Sequence, residues 1–138
     1  MPDDYKKPSK EQVLRETTIV SIVDDDESVR DSVSALVRSL GYTPHAYASA
    51  EDFLNSAAAE SAHCLVADIQ MPGMNGIELQ QALVRKGSKL PIIFITAFPE
   101  DHIKQKVLAA GAVCLLRKPC DGDVLVSCIE SALTSRKG

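Results

Sequence analysis

Polar side chains that could do chemistry follow four apolar runs of this chain, at the point where each run ends. Asp24–Asp26 follow the first of these runs, and Asp68 follows the run 64–67. Thr96 and Lys118 follow two later runs. Carboxylate oxygens are the ligands that Mg²⁺ prefers, and a carboxylate can attack phosphorus to give an acyl phosphate. If these residues converge, they predict a divalent-cation site that can accept a phosphoryl group.

Carboxylates that lie close together repel each other, so a cluster of them needs a reason to persist. At about 4 Å and an effective dielectric near 20, each pair costs on the order of 4 kcal/mol. A bound cation or raised pKa values remove this cost. The alternative is that each aspartate only caps a helix or a turn after its strand. Because two sets of aspartates are accompanied by Thr96 and Lys118, we favour the cation site.

Phosphoryl transfer gives each of these side chains a chemical task. The transition state spreads negative charge over the equatorial phosphoryl oxygens, which a divalent cation and a fixed ammonium stabilise. Lys118 can supply the ammonium, and the Thr96 hydroxyl can donate to a phosphoryl oxygen. Ala97 is small enough to leave room for the phosphate. The set therefore predicts Asp68 as a nucleophile that is surrounded by its own stabilising groups.

The elements that must position these residues alternate strand and helix five times from Thr18 onward. The strands are expected at 19–23, 43–47, 64–67, 92–95 and 113–116. Apolar strands that are separated by helices indicate a parallel sheet covered on both faces. We therefore predict an α/β fold, a flavodoxin-like five-stranded parallel sheet of order 2-1-3-4-5 with five surrounding helices. In this order strands one and three are neighbours, which brings Asp24 and Asp25 toward Asp68 at the carboxyl edge.

The domain organisation follows from the length of the chain and from its polar ends. A chain of 138 residues fits one domain, which we assign to residues 18–135. Residues 1–17 are an arm that is either flexible or a short helix opened by Ser9 and Gln12. Residues 136–138 are a tail.

Composition and charge exclude several classes of function. With 15 basic and 19 acidic residues the net charge is −4, so direct binding to nucleic acid or to an anionic membrane is not expected. No apolar run reaches the roughly 20 residues of a membrane-spanning helix. The N-terminus carries no apolar signal segment. We expect a cytoplasmic protein.

The cysteines do not form a recognisable metal motif. They are Cys64, Cys114, Cys120 and Cys128, and none has the C-x-x-C spacing of a zinc site. Three of them lie in apolar stretches that are predicted as strand or helix core. We interpret the four as buried or half-buried thiols.

Four stretches of the chain resemble the signature blocks of a known family. They are IVDDDESVRDSV, LVADIQMPGMNGIEL, PIIFITAF and LLRKP, in this order. Together they are similar to the receiver domains of response regulators in two-component signal transduction, and the resemblance covers roughly residues 18–135. Among subfamilies, the sequence is most similar to the receivers of nitrogen-fixation regulators that carry a LuxR-type DNA-binding domain.

The resemblance implies a phosphorelay function and a set of metal ligands. Asp68 would be the phosphoacceptor and would receive the group from a sensor histidine kinase or a phosphotransfer protein. The implied ligands of Mg²⁺ or Mn²⁺ are Asp25, Asp24 (directly or through water), Asp68 and the backbone carbonyl of Gln70. The domain would catalyse only its own phosphorylation and a slow dephosphorylation, so we do not expect an enzyme.

The resemblance also implies a conformational switch. Thr96, Ala97 and Lys118 would surround the phosphate, and the Lys118–Pro119 peptide bond would be cis. Phosphorylation would shift the face formed by the fourth helix, the fifth strand and the fifth helix of the receiver fold. That shift would control output, partner binding or a homodimer. Whether the chain is a stand-alone regulator or the receiver of a DNA-binding regulator stays open.

Two positions depart from the family pattern, and two others are expected to affect the rate at which the acyl phosphate is hydrolysed. Leu115 stands where receivers commonly carry an aromatic switch residue. Cys120 stands where phenylalanine is usual, and we expect it to fill the same pocket as a small apolar side chain. Gln70 and Phe98 flank the exposed side of the phosphate. We hypothesise that the Phe98 ring limits water access and slows hydrolysis; the alternative is that it points into a partner interface.

Three other functions fit the residues less well. A haloacid-dehalogenase-type phosphatase needs a second aspartate two positions after the first, where this chain has Gln70, and it needs room for a cap domain. A pseudo-receiver that acts only through protein contacts would have lost a pocket residue, and only Leu115 favours it. A mononucleotide-binding domain would need a G-x-G-x-x-G or P-loop segment. His45, His63 and His102 are isolated and are not expected to act as phosphodonors or metal ligands.

Overall fold

Five parallel strands form the central sheet in a computed structural model that describes residues 9–136. They are β1 Ile19–Val23, β2 Thr43–Tyr47, β3 Cys64–Asp68, β4 Ile92–Thr96 and β5 Cys114–Arg117. The order across the sheet is β2-β1-β3-β4-β5, and all neighbouring strands are parallel. This order confirms the predicted fold. The predicted bounds of β5 were wrong by one residue, because Arg117 still pairs with Thr96 of β4.

Six α-helices surround this sheet within the described residues. They are α1 Lys10–Glu16, α2 Glu27–Ser39, α3 Ala50–Asn55, α4 Gly76–Arg85, α5 Asp101–Ala109 and α6 Gly122–Arg136, with a 3₁₀ turn at Ala59–Ser61. Five of them each follow a strand, as predicted, and α1 precedes the sheet. None of the helices described between residues 9 and 136 combines the length and the apolarity that crossing a membrane requires.

The hydrophobic core lies in two layers, one on each face of the sheet. The layer under α3, α4 and α5 contains Phe53, Leu65, Leu79 and Phe94. The layer under α2 and α6 contains Ile22, Val37, Ile93 and Ile129. Every residue of β3 and β4 is buried, whereas the residues of β2 are half-buried or exposed. The central strands are therefore apolar on both faces, and β2, which carries Pro44, lies at an edge, where a missing N–H donor is tolerated.

Local sequence signals set the ends of several helices. Gly41 and Gly111 follow α2 and α5 with φ angles of 89° and 107°, a conformation that favours glycine at the end of a helix. The Ser49 hydroxyl accepts a hydrogen bond from the Asp52 backbone N–H and so caps α3. Asn75 and Glu78 form a reciprocal capping box at the start of α4. Because α4 begins soon after Asp68, this cap also fixes the loop that follows the acidic end of β3.

Helix α1 resolves the two alternatives for residues 9–16 in favour of a helix. Ser9 and Gln12 form the capping box that their spacing predicted. Arg15 attaches the helix to the domain, since its guanidinium donates to the Leu40 carbonyl oxygen at 2.9 Å and lies 5.6 Å from the centre of the Tyr42 ring. Residues 1–8 of the predicted arm and residues 137–138 of the predicted tail lie outside the described residues.

Candidate metal and phosphoacceptor site

Three carboxylates meet at the carboxyl edge of the sheet. Asp24 and Asp25 directly follow β1, and Asp68 ends the neighbouring strand β3. One carboxylate oxygen of each residue lies within 4.8 Å of those of the other two. Asp24 is fully buried, Asp68 is 5% exposed and Asp25 is exposed. The convergence expected from the strand order is therefore present, and one of the three carboxylates faces solvent.

Lys118 reaches this acidic cluster from the end of β5. Its Nζ lies 2.8 Å from Asp24 Oδ2 and 3.1 Å from Asp68 Oδ2. The backbone N–H of Lys118 donates to the Thr96 carbonyl oxygen at 2.8 Å, which aligns the two strand ends. The Lys118–Pro119 peptide bond is cis. Burial alone would lower the pKa of Lys118, but hydrogen bonds and charge from Asp24 and Asp68 outweigh it and raise that pKa.

The surroundings of Asp68 disfavour its ionised form. Burial raises the pKa of its carboxyl group, and the charge of Asp24 raises it further. The Lys118 ammonium and the Gln70 backbone N–H, 3.2 Å from Asp68 Oδ1, lower the pKa but do not compensate. The Lys118 ammonium contacts two of the three carboxylates, Asp24 and Asp68. This excess of negative charge, presented by oxygen atoms, fits a divalent cation.

The remaining predicted residues lie at the carboxyl end of β4 or just after β3 and β4. Thr96 is buried at the end of β4, and its hydroxyl accepts a hydrogen bond from the Phe98 backbone N–H at 3.2 Å. Ala97 and Gln70 are exposed. The Phe98 side chain is 61% exposed. Thr96 is therefore held in position, while Gln70 and Phe98 are free to contact water or a partner.

Leu115 and Cys120 lie in opposite core layers. Leu115 is 8% exposed and belongs to the layer that contains Phe94 and Val107. Cys120 is half-buried against the layer under α2 and α6, in keeping with its interpretation as a small apolar side chain. Leu115 is thus packed inward in this structure.

The three histidines do not line the acidic pocket. His63 Nδ1 accepts a hydrogen bond from the Ile19 backbone N–H at 3.0 Å, near the start of β1. His45 lies in the edge strand β2, and His102 lies on α5 with its Nδ1 3.5 Å from a Glu100 oxygen. None of the three is thus part of the acidic cluster of Asp24, Asp25 and Asp68.

Sequence reasoning missed Gly76, whose role depends on how closely two backbones approach. Its N–H donates to the Ile69 carbonyl oxygen at 2.8 Å. A Cβ atom at this position would overlap the backbone oxygen of Asp68 and lie 2.9 Å from Ile69 Cα. Gly76 therefore lets α4 begin directly against the backbone of the acidic strand end. The only signal in the sequence was a glycine at the predicted start of a helix.

Two charged residues that support the pocket were also missed. Arg30 of α2 donates to the backbone carbonyl oxygen of Asp24 at 2.8 Å. Glu51 of α3 accepts a hydrogen bond from the Met74 backbone N–H at 3.0 Å, and this bond lowers the pKa of the Glu51 carboxyl group. Both residues fix loops at the carboxyl edge. Nothing in the sequence distinguishes them from charges on solvated helix faces.

Fold and site together define a doubly wound α/β domain with an acidic pocket, closed by a lysine, at the carboxyl edge of its sheet. The family model described as response regulator receiver domain matches residues 20–130. Response regulator protein TodT of Pseudomonas putida is 36% identical over 116 residues, which are 84% of this chain and 51% of that protein. Transcriptional regulatory protein FixJ of Bradyrhizobium diazoefficiens is 34% identical over 114 residues, which are 83% of this chain and 56% of that protein. The structure of response regulator StyR matches with a TM-score of 0.80 and 39% identity, over 86% of this chain and 60% of that one.

The chain belongs to the response regulator receiver domain family, and it is a receiver domain of a two-component response regulator. It spans about half of the length of the curated relatives that it matches. The activities of those longer proteins therefore extend to this chain only as proposals.

Proposed function

We propose that this receiver accepts a phosphoryl group on Asp68 in a reaction that depends on Mg²⁺ or Mn²⁺. The observation that carries the proposal is the convergence of the Asp24, Asp25 and Asp68 carboxylates within 4.8 Å. The Lys118 ammonium contacts two of them, Asp24 and Asp68. A buried carboxylate of raised pKa next to a fixed ammonium is a common arrangement at reactive sites. The second aspartate that a haloacid-dehalogenase-type phosphatase would need is replaced by Gln70.

Each side chain of the pocket has its own role in the transfer of the phosphoryl group. A carboxylate oxygen of Asp68 attacks phosphorus, and the bond between phosphorus and the donor breaks, so that the donor leaves with the bonding electron pair. Lys118 then moves its hydrogen bond from the carboxylate to a phosphoryl oxygen. The Thr96 hydroxyl donates to another phosphoryl oxygen. Both contacts stabilise negative charge that was absent from the free carboxylate.

The residues that would hold the divalent cation are the three carboxylates and one backbone carbonyl. Asp24, Asp25 and Asp68 would hold it, together with the backbone carbonyl of Gln70. When bound, it neutralises the negative charge that otherwise repels an incoming phosphoryl group. The exposure of Asp25 leaves the entrance of the site open to water and to the cation.

The reaction partner is a sensor histidine kinase or a phosphotransfer protein, as for receiver domains in general. We propose that the chain is not an enzyme that turns over a separate substrate, but a domain that is phosphorylated once and then slowly hydrolyses its own acyl phosphate. We further propose that phosphorylation alters the face of α5, β5 and α6. This face would control an output domain, a partner or a second copy of the chain.

Intact-protein mass spectrometry tests the proposal. The protein is incubated with acetyl phosphate in the presence of Mg²⁺ or of EDTA, beside the variants Asp68→Asn and Asp31→Asn. The second variant is the matched control, because Asp31 is an exposed aspartate on α2. We expect the mass of one phosphoryl group to be added with Mg²⁺ to the unmodified protein and to Asp31→Asn only.

A folded protein that binds Mg²⁺ and gains no mass would overturn the proposal. It would favour a pseudo-receiver that acts only through protein contacts. Leu115 is in line with that second function, since this position lacks the aromatic side chain common in receivers.

A further inference from the structure

The fold gathers the four cysteines into one core layer, although they lie far apart in the sequence. Cys64 is on β3, Cys114 is on β5, Cys120 precedes α6 and Cys128 is on α6. All four belong to the layer under α2 and α6. Cys64 is buried, and the other three are partly accessible. This cluster lies outside the acidic pocket, and the phosphoryl chemistry does not use it.

Two of these thiols are in direct contact. Cys114 Sγ lies 2.8 Å from Cys128 Sγ, across the contact between β5 and α6. A disulfide closes at about 2.05 Å, so the two sulfur atoms need to approach by less than 1 Å. Both residues are reduced and partly accessible in this structure. A small oxidant can therefore reach a thiol whose partner is already in place.

Burial raises the pKa of the Cys114 thiol, and the neighbouring Cys128 raises it further. The contact between the two sulfur atoms, rather than a difference between the two thiols, therefore defines the site.

We propose that Cys114 and Cys128 form an oxidation site at which a peroxide converts two thiols into a disulfide that joins β5 to α6. One of the two sulfur atoms attacks one oxygen of hydrogen peroxide, which gives a sulfenic acid and water. The other sulfur then attacks the sulfenic sulfur, loses its proton and displaces hydroxide, which takes up that proton as a second water. Two thiols are oxidised and one peroxide is reduced to two water molecules.

The disulfide links the two elements on the side of β5 that faces α6. Leu115, the next residue, faces the opposite core layer. The crosslink thus restrains α6 against the sheet without touching Asp68 or Lys118. The crosslink restricts movement of the face formed by α5, β5 and α6. No residue of the acidic pocket takes part in it.

Mass spectrometry of the full chain tests the site directly. After treatment with hydrogen peroxide under non-denaturing conditions, we expect the loss of two hydrogen masses and a peptide that joins Cys114 to Cys128. Treatment with a thiol reductant should reverse both changes. Oxidation should also raise the melting temperature by roughly 5–10 °C, because the crosslink closes a loop in the unfolded chain.

Variants of the cysteines provide the controls. Cys114→Ser and Cys128→Ser should each abolish the crosslink and the shift in melting temperature, and Cys120→Ser should retain both. A crosslink from Cys128 to Cys120, or stepwise gain of oxygen without any crosslink, would overturn the proposal. The peptide map of the unmodified protein decides this even if a serine variant folds poorly.

Discussion

At the scale of single residues, the surroundings of Asp68 in the acidic pocket work against its ionised form. Burial and the charge of Asp24 raise the pKa of Asp68, so the folded state disfavours its ionised form. Lys118 compensates for part of this cost by bonding to both carboxylates. A neutral side chain at position 68 would remove the cost of ionising a buried carboxyl group. It would also remove the carboxylate that we propose as the nucleophile. Sites built for function often carry destabilising groups of this kind.

Asp68→Asn should therefore stabilise the metal-free protein near neutral pH. We expect a gain of about 1 kcal/mol in the free energy of unfolding, or roughly 4 °C in melting temperature. Because the pKa is raised on folding, the ionised group costs stability above its folded pKa, and this cost vanishes as the pH falls and Asp68 becomes protonated. The gain should thus shrink toward acid pH in thermal melts with EDTA.

Asp25→Asn serves as a control for this measurement, because Asp25 is an exposed carboxylate of the same pocket. Its substitution should change the melting temperature less. An Asp68→Asn variant that melts below the unmodified protein at neutral pH would mean that the Lys118 contact outweighs burial.

Gly76→Ala should disturb the acceptor strand end, because the added Cβ atom would overlap the backbone of Asp68 and Ile69. We expect a loss of about 1–3 kcal/mol in the free energy of unfolding and a slower phosphorylation of Asp68. Gly122→Ala is the matched control, since a Cβ atom there meets nothing within 4 Å. Chemical denaturation of both variants and phosphorylation by acetyl phosphate check the prediction. Equal stability of the two variants would contradict it.

Phe98→Ala should shorten the lifetime of the acyl phosphate. Phe98 is exposed and its backbone N–H donates to the Thr96 hydroxyl, and we expect its ring to limit the approach of water to the phosphate. We expect hydrolysis several-fold faster, measured as the loss of phosphoryl mass over time. Val84→Ala removes a similarly exposed apolar side chain from α4 and should leave the rate unchanged. If Phe98→Ala also leaves it unchanged, the ring does not shield the phosphate and is better explained as a partner contact.

At the scale of elements, most of the scaffold could be predicted because it depends on patterns that the sequence carries. Apolar runs placed the strands, and Gly41 and Gly111 marked helix ends that the structure confirms. The Ser9 and Gln12 spacing indicated the start of α1 but left a flexible arm equally possible. In the structure α1 is a helix, and its contacts with the domain, such as those of Arg15 with Leu40 and Tyr42, are tertiary contacts. No local pattern reports such contacts.

Long-range contacts also explain why part of the site was missed. The aspartates, Thr96 and Lys118 could be predicted, since the carboxyl ends of parallel strands meet at one edge. Arg30 and Glu51 act on backbone atoms of other segments, so their importance depends on loop paths that the sequence pattern does not contain. Gly76 depends on a distance between two backbones. The four-cysteine layer was hidden for the same reason.

Arg15→Ala should release α1 from the domain. A helix of seven residues is too short to be stable alone, and this change removes its hydrogen bond to the end of α2 and its contact with Tyr42. We expect a loss of about 1 kcal/mol in stability and faster hydrogen exchange of the α1 amides, with unchanged phosphorylation. Glu11→Ala removes only an exposed ion pair at 3.8 Å and should have little effect. Slow exchange in Arg15→Ala would show that other contacts hold the helix.

At the scale of the whole molecule, the acidic pocket and the face of α5, β5 and α6 are joined through β4 and β5. Thr96 ends β4, and Lys118 follows β5, so both groups proposed to bind the phosphate belong to the strands that support this face. Leu108 and Val124 leave apolar surface exposed on its two helices. β5 is also an edge strand of the sheet. A shift of these strands would therefore alter a surface that can pack against another protein.

Phosphorylation should accordingly convert the protein from monomer to homodimer through this face. We expect the mass measured by light scattering after size-exclusion chromatography to double with acetyl phosphate and Mg²⁺, and to stay that of a monomer for Asp68→Asn. Leu108→Glu should abolish the dimer without affecting phosphorylation, because it places a charge in the apolar part of the contact. Val84→Glu is the matched control, since Val84 is exposed on α4, outside this face. A fully phosphorylated protein that remains monomeric would direct the search for output toward a different partner, and a dimer that persists in Leu108→Glu would place the contact elsewhere.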